Sequence, residues 1–208
     1  MPVLLLLNYH IKNMEDIMLK KILSMAILGF CLFVNPLVSE SRSKFIIEEP
    51  VYLKVNIHYQ DNGKDCKASY ANYTDPGAGH QILAVNTPVK IKSWKRKGFI
   101  IVDAETNREI YFEYHEGRMQ MSIDEYLTKI TSASKVDLGK LSDKDRKGIE
   151  EGIAINGMTK DGVMMALGYP ATHKTPSPDS NRWIYWRNRF GTIAVEFDGN
   201  GIVSNIIN

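Results

Sequence analysis

The chain has 208 residues, 44% hydrophobic and 24% charged, and a formal net charge of +2. That length makes one large domain or two small ones of globular composition. The charge balance is too weak to argue for nucleic acid or an acidic substrate.

The first predicted element is an export signal. "MLKKILSMAILGFCLFVNPLVSES" carries the pair Lys20–Lys21, an apolar run from Ile22 to Val34, then Pro36 and small polar residues. This is the build of a secretory signal peptide. Met18 is the more natural start, and Ser39 and Ser41 place cleavage near residue 41. Removing residues 1–41 takes away three basic and three acidic residues, so the mature charge stays at +2. The apolar run is short for a membrane span. Membrane attachment through an acylated Cys31 is the alternative. It is disfavoured because Phe30 precedes the cysteine where a small residue is required, and because Cys31 lies inside the apolar run. With the signal removed, Cys66 is the one cysteine left and cannot form an intramolecular disulfide.

Residues 44–119 read as a β-rich domain. "VYLKVNIHY" alternates Val51, Leu53, Val55 and Ile57 against Tyr52, Lys54, Asn56 and His58, the period of a strand. "DNGKD" and "DPGAG" are turn signals. "TPVKIKSW", "GFIIVDA" and "EIYFEYH" follow as short strands, which suggests a small barrel or sandwich. Residues 120–141 read as a helix and a polar linker. The helix opens on Ser122 and Glu125 at capping-box spacing.

Residues 142–208 read as helix, helix, strand, strand, strand. Ser142 and Asp145 repeat the capping device for the first helix. The second is bounded at both ends. Thr159 is its N-cap, Met158 and Val163 sit at the staple positions, Gly168 closes it at positive φ and Pro170 forbids its resumption. So short a helix needs a surface to pack on. The strands "RWIYWRN", "TIAVEF" and "IVSNII" supply one.

Two resemblances follow. "ILAVNTPVKI" resembles the start of the second strand of bacterial SH3-like modules. "GMTKDGVMMALGYP", "WIYW" and "IAVEFDGNGIVSNI" resemble the SmpA/OmlA, or BamE-like, family over the last third of the chain. The resemblances imply an α+β chain, an SH3-like small barrel followed by a BamE-like domain with a three-stranded antiparallel sheet. The BamE-like family includes small outer-membrane assembly lipoproteins, and the fold also occurs in protein-binding inhibitors. This chain departs from the lipoprotein members by lacking a clean lipobox and by its extra β-rich domain.

No catalytic, cofactor or metal constellation stands out. Cys66 with His80 as nucleophile and base would make an envelope hydrolase or peptidase-like enzyme, but neither residue has supporting context. His58, His80, His115 and His173 have no short metal-ligand spacing. "KSWKRKG", Lys92 to Gly98, reads as a solvated basic hairpin tip. The expectation is therefore an exported, periplasmic or envelope-associated, non-enzymatic binding or scaffolding protein. Its partner is a protein or another envelope component. An even-numbered loop in the first C-terminal hairpin would set Trp186 across from Ile193 and Ile184 across from Val195, under the helices. Trp183 and Tyr185 would then fall on the open face, with Arg187 and Arg189 close by, as the candidate protein-binding residues.

Overall fold

The computed structural model describes residues 46–94 and 98–208. The expected signal peptide at 1–41, with Cys31, and the centre of the basic cluster at 95–97 lie outside the described residues. The chain is α+β. Its strands are β1 (Ile47–Leu53), β2 (Ile57–Asp61), β3 (Cys66–Ser69), β4 (His80–Leu83), β5 (Pro88–Trp94), β6 (Gly98–Asp103) and β7 (Glu109–Glu113). Helices α1 (Glu116–Met119) and α2 (Ile123–Ile130) follow, with β8 (Thr131–Ser132) directly after. Then come α3 (Asp143–Glu151), α4 (Lys160–Leu167), β9 (Arg182–Trp186), β10 (Thr192–Phe197) and β11 (Val203–Ile207).

The first eight strands form one sheet in the order β4-β2-β3-β7-β6-β5-β1-β8. All its pairs are antiparallel except β3 with β7. β1 and β2 are consecutive in the chain yet five strand positions apart, about 24 Å if the sheet were flat. The link from Leu53 to Ile57 spans at most about 14 Å. The sheet must therefore curl, and its concave side becomes a core. Leu53, Ile57, Val89, Ile91, Phe99, Ile101, Ile110 and Phe112 fill it, with Phe99 and Phe112 stacked at 4.7 Å. Helix α2 closes the core with Ile123, Tyr126, Leu127 and Ile130. Its Ser122–Glu125 capping box forms as expected.

"VYLKVNIHY" is two strands, not one. Between them the Asn56 N–H bonds to the Met165 carbonyl of α4, outside the sheet (2.7 Å). "TSASKVDLGK" is more than a connector, because Thr131 and Ser132 pair with β1.

The second core lies between α3, α4 and the sheet β11-β10-β9. The N-caps form where the sequence places them. The Ser142 hydroxyl accepts from the Asp145 N–H, and the Thr159 hydroxyl from the Gly162 N–H. Asp145, almost fully buried, also accepts from the Thr159 N–H (2.8 Å) and from the Ser142 hydroxyl (2.8 Å), tying the two helix starts together. Gly168 has φ +82° and ψ 179°, a conformation open to glycine rather than the expected left-handed one. A Cβ there would lie 2.5 Å from Asn72 Nδ2.

Candidate functional site

The β9–β10 register decides which aromatics can meet a partner. Five residues, 187–191, separate the strands, an odd number. Trp186 therefore pairs with Thr192, Tyr185 with Ile193 and Trp183 with Val195. The expected pairing was one residue out, and a one-residue slip exchanges the faces of the strand. Trp183 and Tyr185, each 1% exposed, lie in the second core with Val195 and Phe197. Trp183 meets the Phe197 ring edge-on at 4.8 Å and donates its Nε1–H to the Pro178 carbonyl. The Tyr185 hydroxyl donates to the Gly168 carbonyl (3.1 Å), which anchors the end of α4 to the sheet. The open aromatic face expected of this pair is thus corrected. Trp186 takes the other face and packs against the first core.

Arg187 and Arg189 stand apart from the two aromatics, on the hairpin beyond β9. The hairpin is tightly built. The Arg187 N–H donates to the Gly191 carbonyl (2.9 Å), and the Asn188 side-chain oxygen accepts from Phe190 N–H (2.9 Å) and Gly191 N–H (3.0 Å). At its tip Phe190 is 91% exposed, with the Arg189 guanidinium 5.8 Å from its ring. Phe190 escaped the sequence reading because nothing in "NRFG" separates an outward aromatic from a buried one. Arg187 lines a groove of about 510 Å³ with Thr74, Asp75, Ile153, Leu167 and Ile206.

The hairpin is carried on a polar seam between the two halves. Asn56 is fully buried. Its Nδ2 donates to Ile149 (2.7 Å) and Ala166 (3.2 Å) carbonyls, and its Oδ1 accepts from the Val85 N–H (2.9 Å). Asn72 Nδ2 donates to the Tyr169 carbonyl (2.9 Å). The N–H groups of Thr74 and Asp75 donate to the Trp186 and Arg187 carbonyls, covering the β9 edge. No known protein family, curated protein or solved structure matches the chain.

His58 completes the seam. One ring nitrogen, Nε2, lies 2.9 Å from the Ala166 carbonyl, and the other, Nδ1, lies 2.9 Å from His80 Nε2. A carbonyl only accepts, so Nε2 carries the proton and Nδ1 accepts from His80. Burial is the main cause that pushes the His58 pKa down to about 4. The Ala166 carbonyl opposes this, and His80 adds to it. Period-two alternation sets Asn56 and His58 on the face opposite Val55 and Ile57. That face is covered by α4, which no pattern within the strand records.

Cys66 and His80 do not form a dyad. His80 stacks on His58 at 5.2 Å, while Cys66 pairs across the sheet with Asp61. Two strand spacings, about 10 Å, separate β4 from β3. The half-buried thiol is pushed up by burial first and then by the Asp61 carboxylate, which favours the inert SH form. Among the described residues no cluster of three or more His, Cys, Asp or Glu could hold a metal ion. Among them, too, no helix is long and apolar enough to cross a membrane.

Proposed function

We propose that this chain is an exported cell-envelope protein acting as a non-enzymatic binding or scaffolding module. It joins an SH3-like small barrel to a BamE-like domain and meets its partner through the hairpin 187–191. The observation that carries this is Phe190, an almost wholly exposed aromatic beside Arg189 at the tip of a hydrogen-bonded hairpin that Arg187 opens. Covering this ring with a partner surface would take its apolar area out of water, which is favourable. Aromatic and Arg side chains are the types that dominate binding energy at interfaces. The helix, helix, three-strand order of residues 142–208 supports the BamE-like reading, and the curled β-sheet supports the small-barrel one. The partner is a protein or another envelope component.

The test places a photo-crosslinking amino acid at Phe190 and, as control, at exposed Lys90, in the native host. A discrete adduct from position 190 alone, lost when Arg187 and Arg189 are both changed to Ser, is expected. The same adducts from both positions would refute the hairpin as the contact. Intact-mass measurement of membrane and soluble fractions checks export, with a mature N-terminus near residue 42 expected. An acylated N-terminus at Cys31 would replace the cleaved form with an anchored one.

A further inference from the structure

Three residues from two distant segments converge on the ring of Tyr70. His115 and His173 meet it edge-on with centroids 6.1 and 6.2 Å away. The Arg118 guanidinium sits 5.9 Å from its centroid and donates through Nη1 to the phenol oxygen at 2.5 Å. Tyr70 is itself buried, so it acts as a fixed hub, while His115, Arg118 and His173 are exposed around it. The segments are clamped by main-chain bonds. The His173 N–H donates to the Arg118 carbonyl (3.0 Å), and Arg118 N–H to the His115 carbonyl (3.0 Å). Lys174 follows, its ammonium 5.2 Å from the Trp186 ring.

We propose that this face, His115, Arg118 and His173 around Tyr70 with Lys174 next to His173, binds a phosphoryl oxyanion. The donors belong to two segments of the chain, and the three terminal oxygens of a phosphate can accept from more of them at once than a carboxylate can. One Arg118 nitrogen is engaged by Tyr70, and among the described residues no other side-chain hydrogen bond holds the guanidinium fork, which leaves it for charge-assisted bonds. Arg118 makes no ion pair among the described residues. The electrostatics agree. The His173 pKa is held down by burial first, and then by Arg118, Lys174 and His115, all of them basic. Glu113 and Glu116 lie in the same stretch of chain, where their charges raise Tyr73 and Tyr114, and neither is among the causes that act on His173. A bound oxyanion would relieve this crowding of positive charge. The site does not rest on the hairpin reading, since it uses neither Phe190 nor Arg187.

The experiment follows the imidazole NMR signals of His115 and His173 in the mature chain while inorganic phosphate is added at constant ionic strength. Saturable shifts of both are expected. Affinity should fall roughly tenfold or more in Arg118→Gln and in His173→Gln, less in Arg118→Lys, and not at all in Lys90→Gln. Circular dichroism confirms that each variant is folded. A second arm measures sedimentation with phosphatidylcholine vesicles, with and without phosphatidylglycerol. Saturable phosphate shifts plus binding to the anionic vesicles, competed by free phosphate, identify a lipid headgroup as the source. The same shifts without vesicle binding identify a soluble phosphate. Shifts that do not saturate, or that persist unchanged in both Arg118→Gln and His173→Gln, would overturn the proposal.

Discussion

Acidification should loosen the seam through His58. The folded chain holds this imidazole neutral, with a pKa moved from 6.5 to about 4. Protonation would set an Nδ1–H against the Nε2–H of His80 and bury a charge against α4. Between pH 6.5 and 4 the unfolded chain binds a proton here that the folded chain refuses. Stability contributed by His58 is therefore complete above pH 6.5 and is lost as pH falls toward 4. The loss amounts to roughly 3 kcal/mol, at up to about 1.4 kcal/mol per pH unit. His80 is also shifted down, chiefly by its partial burial, with Asp75 opposing, and adds in the same direction. The assay is urea unfolding of the wild type and His58→Gln at intervals from pH 7 to 4. Gln keeps a donor for the Ala166 carbonyl but does not titrate. Carboxylates titrating in the same range act on both proteins and cancel in the comparison. The wild type should lose roughly 3 kcal/mol more than the variant across this range. Parallel stability curves, or a His58 pKa near 6.5 by NMR, would refute the reasoning.

Two further substitutions probe the same junction. Asn56→Leu leaves the Ile149 carbonyl and the Val85 N–H without the partner Asn56 supplies. At about 1–3 kcal/mol for each buried unpaired group, it should lower stability by roughly 3 kcal/mol in chemical denaturation. Asn56→Asp keeps the acceptor for Val85 but sets a buried carboxylate oxygen against the Ile149 and Ala166 carbonyls, so it should cost at least as much at neutral pH. Gly168→Val combines a φ of +82° with a Cβ 2.5 Å from Asn72 Nδ2. A loss of about 1–3 kcal/mol is expected from the backbone alone, more as Asn72 is displaced from Tyr169, and an unchanged melting temperature would contradict it.

The helix caps at Ser122, Ser142 and Thr159 and the positive φ of Gly168 were legible in the sequence. Each depends on hydrogen bonds or sterics within three or four residues, so local chemistry is enough. The same holds for Ile193, Val195 and Phe197, whose clean alternation marks the covered face of β10. Strand β9 is different. Its residues are apolar on both sides, so alternation cannot choose a face, and the choice passed to the parity of a hairpin loop whose length the sequence leaves open. Five loop residues put Trp183 and Tyr185 under the helices and Trp186 against the first core. Only the tertiary structure decided the rest of the candidate surface. Alternation sets Asn56 and His58 opposite Val55 and Ile57, and only the packing of α4 shows that this face too is buried. His115 and His173, 58 positions apart in the chain, become neighbours only because both segments are folded onto Tyr70. A side chain's own strand or helix determines which way it points, whereas what lies in that direction is determined by elements packed there from elsewhere in the chain.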